Sequence, residues 1–135
     1  MLAQPTTVYV IDDDASVRDA LARLLTSAGL RACTFPSADA FLQAGCPAEN
    51  ACVVADVCMQ GMSGLQLQHE LRKAGSSLRV VFVTAQDVEE TRAEAVRTGI
   101  AAFLVKPVDD QALLDAIQWA LALSDEQSER VPPPS

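Results

Sequence analysis

The chain has 135 residues, half of them hydrophobic, and a formal net charge of −8. That length supports one domain with its own core, and the acidic balance excludes a general nucleic-acid binder, which needs basic surface to displace counterions. No apolar run reaches the length of a membrane span, and the N-terminus lacks a basic and then hydrophobic signal segment, so the expected compartment is the cytoplasm, with no membrane contact. Cysteines stand at 33, 46, 52 and 58 without Cys-x-x-Cys spacing, and the single histidine is at 69. A zinc site is not expected; reduced, mostly buried thiols are.

Residues 1–6 read as an N-terminal tail. Thr7–Ile11 is a strand by its β-branched and aromatic content, and Asp12-Asp13-Asp14 stops it. From Ser16, the residues Val17, Ala20, Leu21, Leu24, Leu25 and Ala28 follow helical spacing, and Gly29 supplies the stop. Arg31–Phe35 is a second strand of mixed polarity, suited to a sheet edge. Pro36-Ser37 opens a short helix through Ala38, Phe41 and Leu42 that fades at Gly45 and Pro47. Ala51–Asp56 is an almost wholly apolar run ending in a carboxylate, which reads as a buried parallel strand, and Val57 to Gly64 as the loop after it. Ser63 caps a helix carrying Leu65, Leu67 and Leu71 that closes at Gly75. Arg79–Thr84 is the fourth strand. Asp87, with Glu90 three residues on, starts a fourth helix stopped by Gly99. Ile100–Val105 is the fifth strand, followed by Lys106-Pro107, and Asp109 begins a last amphipathic helix through Leu113, Leu114, Ile117 and Leu121. Residues 124–135 turn charged and then proline-rich, the composition of a linker or C-terminal tail.

Five strands alternating with five helices imply an α/β fold, a doubly wound parallel sheet. Right-handed crossovers and one reversal of direction leave few strand orders. The order 2-1-3-4-5, that of the flavodoxin-like (βα)5 class, puts the polar second strand at an edge. In such a sheet all strand C-termini share one edge. Strand one delivers Asp12 and Asp13 there, strand three Asp56, strand four Thr84 and strand five Lys106. Strands one and three are neighbours at the reversal point, where ligands bind, so three carboxylates gather in one crevice. Two such charges about 4 Å apart repel by roughly 4 kcal/mol at an effective dielectric near ~20. A hard divalent cation relieves that repulsion, and Mg²⁺ typically takes one or two carboxylates while keeping waters or phosphate oxygens. Lys106 offers a point charge to a phosphoryl oxygen and Thr84 a hydroxyl donor. Asp56 is then the natural nucleophile, since carboxylates form acyl phosphates. Taken singly, each residue has a plainer account as a turn aspartate, a loop Lys-Pro or a strand-end threonine. Their joint placement on one edge is what is specific.

With those residues in place, the chain resembles the receiver domains of bacterial two-component response regulators, in style most like receivers joined to helix-turn-helix transcriptional outputs. The resemblance covers residues 7–123. It rests on the acidic pair Asp12-Asp13, Asp56, Thr84 followed by the small Ala85, the aromatic Phe103, Lys106-Pro107, and Gly64 closing the loop after Asp56. It implies a signalling switch rather than a metabolic enzyme, one that catalyses only its own phosphorylation and dephosphorylation. Asp56 would take a phosphoryl group from a histidine of a sensor kinase, with Mg²⁺ on Asp13, Asp56 and the Cys58 carbonyl, and on Asp12 through water. Thr84, the Ala85 amide and Lys106 would hold the phosphoryl oxygens. Thr84 and Phe103 would form the switch, and the bond to Pro107 would be cis. The implied partners are a sensor histidine kinase and, through the face of the fourth helix, fifth strand and last helix, a second copy. DNA would be reached only through an output domain, and the sequence contains none: it reads as a receiver cut at a linker or as a stand-alone phosphoryl shuttle.

Some positions depart from the pattern. Gln60 stands where such loops usually carry proline, Asp14 reads as an accessory acid and helix cap, and Cys58 and Gln86 occupy positions that tune the phosphoryl lifetime. His69 reads as an exposed surface residue and Trp119 as helix packing; nothing near Cys58 in sequence lowers its pKa. Two rival readings are weaker. An aspartyl-phosphate phosphatase of the haloacid-dehalogenase type wants a second Asp two residues after Asp56, where Cys58 stands. A flavodoxin-like cofactor binder wants a hydroxyl- and glycine-rich phosphate loop after strand one, where there are three aspartates.

Overall fold

A computed structural model describes residues 6–57, 61–84, 102–106 and 108–126. Its elements are β1 (Thr7–Ile11), α1 (Ala15–Ser27), β2 (Arg31–Phe35), α2 (Ala38–Ala44), β3 (Ala51–Asp56), α3 (Gly64–Lys73), β4 (Val80–Thr84), β5 (Ala102–Val105) and α4 (Asp110–Glu126). The helix expected over Asp87–Gly99, and Cys58, Gln60, Ala85, Gln86 and Pro107, lie outside the described residues.

The five strands form one parallel sheet in the order β2-β1-β3-β4-β5, as the alternation of apolar runs and helical spacing predicts. β3 is buried along its whole length, which is why it reads as a continuous apolar run rather than an alternating one. Alternate residues feed two cores. Tyr9, Ile11, Val53, Phe82 and their neighbours pack under α2 and α3 with Phe41, Leu67 and Leu71. Val8, Val10, Val54 and Val81 pack under α1 and α4 with Leu25, Leu113 and Ile117. Each of these side chains contributes about 1.5–3 kcal/mol by leaving water. β2 stands at the edge, with Arg31 and Thr34 exposed, as its mixed polarity requires. Trp119 lies half-buried against the second core, and His69 is exposed on α3.

The helix starts follow local side-chain chemistry. Asp14 caps α1, its Oδ1 accepting from the amides of Ser16 at 2.8 Å and Val17 at 3.4 Å. Ser63 and Gln66 form a reciprocal capping box at α3, with bonds of 3.1 and 2.9 Å. Two expectations need correction. The last helix runs to Glu126, into the residues from Ser124 on that read as linker, because no glycine or proline interrupts the sequence before Pro132. Among the described residues the thiols are not mostly buried: Cys52 is, but Cys33 and Cys46 are only half-buried, one on the edge strand and one in the loop after α2.

Candidate functional site

The carboxyl ends of β1, β3, β4 and β5 converge as the topology dictates. Asp12 and Asp56 are only 3% and 9% exposed, and Asp13 is exposed at the rim. One carboxylate oxygen from each of the three lies within 4.8 Å of the others. At that separation a pair of unit charges repels by about 3.5 kcal/mol at an effective dielectric near ~20. The crevice carries its own partial answer. Lys106 reaches in from the end of β5, its Nζ 3.0 Å from Asp56 Oδ2 and 3.2 Å from Asp12 Oδ2. Burial alone pulls the Lys106 ammonium down. Its hydrogen bond to Asp56 and the charges of Asp12 and Asp56 outweigh that pull and raise its pKa above the ordinary lysine value. One ammonium against three carboxylates still leaves negative charge over.

The backbone fixes these groups. The Lys106 amide donates to the Thr84 carbonyl at 2.7 Å, so β5 and β4 end in register at the site. Thr84 closes β4 with its side chain buried, 2% exposed. Phe103 pairs in register with Phe82, and its half-buried side chain packs against the core under α2 and α3. Asp12 is held from several sides: its Oδ1 accepts from the Asp14 amide at 2.9 Å and its Oδ2 from Lys106.

Two residues that sequence reasoning passed over, or gave only a loop position, now have contacts at the site. Arg18, one turn into α1, donates from Nη1 to the Asp12 carbonyl at 2.6 Å and so ties the acidic loop to the helix. The only sequence signal was an arginine six residues after Asp12, which periodicity assigns to a helix surface. Gly64 starts α3 hard against the strand that carries Asp56. A Cβ there would sit 2.8 Å from the Asp56 carbonyl oxygen and 3.1 Å from both Phe82 Cε1 and Val57 Cα.

The donor set is all oxygen, partly buried and in excess over its one ammonium, which fits a small hard divalent cation rather than a soft one. Asp12, Asp13 and Asp56 are the residues that would hold it.

Comparison with known proteins bears on this geometry. Residues 8–118 match the family model of the response regulator receiver domain. The transcriptional regulatory protein TdiR of Thauera aromatica is 46% identical over 125 residues, which is 93% of this chain and 55% of TdiR. FixJ of Azorhizobium caulinodans is 45% identical over 120 residues, 89% of this chain and 57% of FixJ. The chain thus spans little more than half the length of these curated relatives. Among solved structures, the response regulator StyR superposes with a TM-score of 0.84 at 42% identity, covering 92% of this chain and 63% of that one. FixJ-N superposes with a TM-score of 0.81 at 28% identity, covering 96% of this chain and all of that one. A family match over most of the folded residues, with relatives above 40% identity along nearly the whole chain, places this protein among the receiver domains of two-component response regulators.

Proposed function

We propose that the protein is a phosphorylation-dependent switch in which Asp56 accepts a phosphoryl group from the phosphohistidine of a sensor kinase. The observation that carries this is the single ammonium of Lys106 bridging Asp56 and Asp12 at 3.0 and 3.2 Å inside a mostly buried carboxylate cluster. A carboxylate oxygen of Asp56 attacks phosphorus in line; the new O–P bond forms as the P–N bond to histidine breaks, and the freed imidazole nitrogen takes a proton. Lys106 is placed to follow a phosphoryl oxygen as charge develops on it, and Thr84 supplies a hydroxyl from the adjoining strand end. Asp12, Asp13 and Asp56 would hold a Mg²⁺ ion, which would supply charge neutralisation for phosphoryl oxygens there.

Several finer assignments belong to the same reading. Residues 7–123 form the receiver and 124–135, whose first three residues continue α4, a linker or C-terminal tail. The Cys58 carbonyl is assigned to the cation site, the Ala85 amide to the phosphoryl site and a cis bond to Pro107, all three lying outside the described residues. The protein works in the cytoplasm, and among the described residues no helix is long and apolar enough to cross a membrane. Phosphorylation changes the face around Phe103 and α4, through which a second copy pairs. An output domain, as the transcriptional names of the relatives suggest, then carries the signal to DNA. The kinase's approach is supported by a groove of about 530 Å³ beside the site, lined by Val17, Leu21 and Leu24 of α1 and by Val108, with Arg23, Lys106 and Asp110 also on it.

The test is incubation with acetyl phosphate and Mg²⁺, followed by intact-mass measurement. One phosphoryl group, labile to hydroxylamine, should be added to the parent and none to Asp56→Asn. Full phosphorylation of Asp56→Asn would move the acceptor elsewhere.

A further inference from the structure

Asp12 is the residue through which the acidic pair leaves β1, and each of its polar groups is engaged. Its amide donates to the Phe35 carbonyl of β2 at 3.2 Å, its Oδ1 accepts from the Asp14 amide at 2.9 Å, and its Oδ2 lies 3.2 Å from Lys106 Nζ. Those contacts continue the sheet, close the turn and supply counter-charge. The carbonyl has a different part. It accepts from Arg18 Nη1 at 2.6 Å, and it lies in the rigid peptide plane that joins Asp12 to Asp13. Its direction therefore sets the direction in which Asp13 departs. Asp13 is exposed at the rim, so the path of its backbone decides whether its carboxylate stays within 4.8 Å of those of Asp12 and Asp56.

Arg18 is well placed to hold that plane. It belongs to the first turn of α1, where its own amide donates to the Asp14 carbonyl at 3.1 Å. Asp14 caps the same helix through the amides of Ser16 and Val17. The guanidinium thus reaches back from a rigid element onto the loop that starts it. A bond from a charged donor is shorter and stronger than a neutral one, and the planar guanidinium loses less freedom in making it than an ammonium would. The acceptor matters as well. Lys106 lies against Oδ2 of both Asp12 and Asp56, whereas the bond from Arg18 goes to a carbonyl. That bond orders the loop without taking a carboxylate oxygen that a cation needs.

Two effects of Arg18 on a divalent cation in the crevice oppose each other. Its positive charge repels the ion, weakly across a rim screened by water and salt. Its hold on the loop keeps the ligands in place, and partners that orient metal ligands typically contribute about 10–100-fold in affinity. On those magnitudes orientation wins. We propose that Arg18 is a positioning residue of the cation site, aiming the Asp13 carboxylate through the Asp12–Asp13 peptide, a role that rests on Asp12, Asp13 and Asp56 being the residues that would hold Mg²⁺. Its removal should therefore raise the Mg²⁺ concentration that phosphorylation requires.

The experiment titrates the full chain with Mg²⁺ alone by calorimetry, in the parent, Arg18→Met and Arg18→Lys. Methionine keeps an unbranched stem and removes the charge and the donors; lysine keeps the charge and loses the planar fork. Affinity should fall by about tenfold in Arg18→Met and by less in Arg18→Lys. With acetyl phosphate, the Mg²⁺ concentration giving half-maximal rate should rise by the same factors, and the shortfall in rate should close as Mg²⁺ approaches saturation. A merely structural arginine would lower the urea midpoint and leave the affinity of the folded protein alone. Undiminished affinity in either variant, or tighter binding in Arg18→Met, as loss of a repelling charge alone would give, overturns the proposal and leaves the cation site standing. A parent that binds no Mg²⁺ overturns both.

Discussion

Gly64→Ala is a one-methyl probe of how tightly the acceptor strand is held. The added Cβ would lie 2.8 Å from the Asp56 carbonyl oxygen, well inside contact distance, and 3.1 Å from Val57 Cα and Phe82 Cε1. Two of those neighbours are backbone of the strand end, and the third belongs to a fully buried ring, so none can swing away. Relief requires α3 and the end of β3 to part by about half an ångström, an overpacking cost of about 1–3 kcal/mol. Alanine returns at most about 1 kcal/mol as a better helix former, and less at the first helical position. The net expectation is a loss of about 1–2 kcal/mol. With a urea m-value of about 1–3 kcal/mol/M, the midpoint should fall by roughly 0.3–2 M at unchanged m. Because the displaced atom is the acceptor's own carbonyl, phosphorylation by acetyl phosphate should slow as well; a misplacement of about 1 Å can cost 10²-fold. Gly75→Ala is the control. Its φ of +75° makes alanine strained, but no atom lies within 4 Å, so it should cost about 1–2 kcal/mol with no change in phosphorylation rate. An unchanged midpoint and an unchanged rate in Gly64→Ala would refute the close-approach argument.

Other expectations follow from the same geometry. Asp13→Ala should lose Mg²⁺ binding by calorimetry while folding normally, since Asp13 is exposed; undiminished affinity would place the cation elsewhere. Thr84→Ala should still accept a phosphoryl group at Asp56 but show much smaller phosphorylation-dependent NMR shifts around Phe103 and α4. One charge-assisted hydrogen bond is worth roughly 1.5–3 kcal/mol, short of the roughly 5.5 needed to invert a 1:99 equilibrium, so a residual shift through Lys106 should remain. Shifts as large as the parent's would disprove the coupling. Burial pushes the Cys52 thiol from 9.0 up to about 12. The stability this lends is whole below pH 9 and is lost as pH rises towards 12, at up to about 1.4 kcal/mol per pH unit. The stability difference between the parent and Cys52→Ala should therefore shrink between about pH 9 and about pH 10.5; a flat difference would count against burial as the cause.

The parts of the fold legible in sequence were those set by one-dimensional periodicity. The apolar run of β3, the mixed polarity of β2 and the helical spacing of Val17 to Leu25 each match their burial in the sheet, at its edge and over one core. The approach of Asp12, Asp13, Asp56 and Lys106 was legible for a different reason: in a parallel sheet, topology alone sends every strand's last residue to one edge. What stayed hidden depends on distances across elements. Nothing local marks Arg18 as the residue reaching back to the Asp12 carbonyl, or Gly64 as a steric necessity rather than a loop glycine. The exposure of Cys33 and Cys46 was misjudged because cysteine is usually buried, although the edge character of Arg31–Phe35 already argued against it for Cys33.

The ion pairs of the crevice also bear on how the chain comes to be folded during synthesis. Asp12 and its ammonium are 94 positions apart, and Asp56 and the same ammonium 50. The acids are made first and their counter-charge only with β5, the last strand of the sheet. A ribosome-bound chain that has built β1, β2 and β3 holds the whole carboxylate cluster before the ammonium of Lys106 can reach it, with the Arg18 guanidinium held by the Asp12 carbonyl rather than by the carboxylates. Such an intermediate is biased against closing its core until β5 pairs with β4 and brings Lys106 to the edge. Because that closure spans so much chain, its loop-entropy cost falls late, and the sheet and its acidic crevice should become complete together.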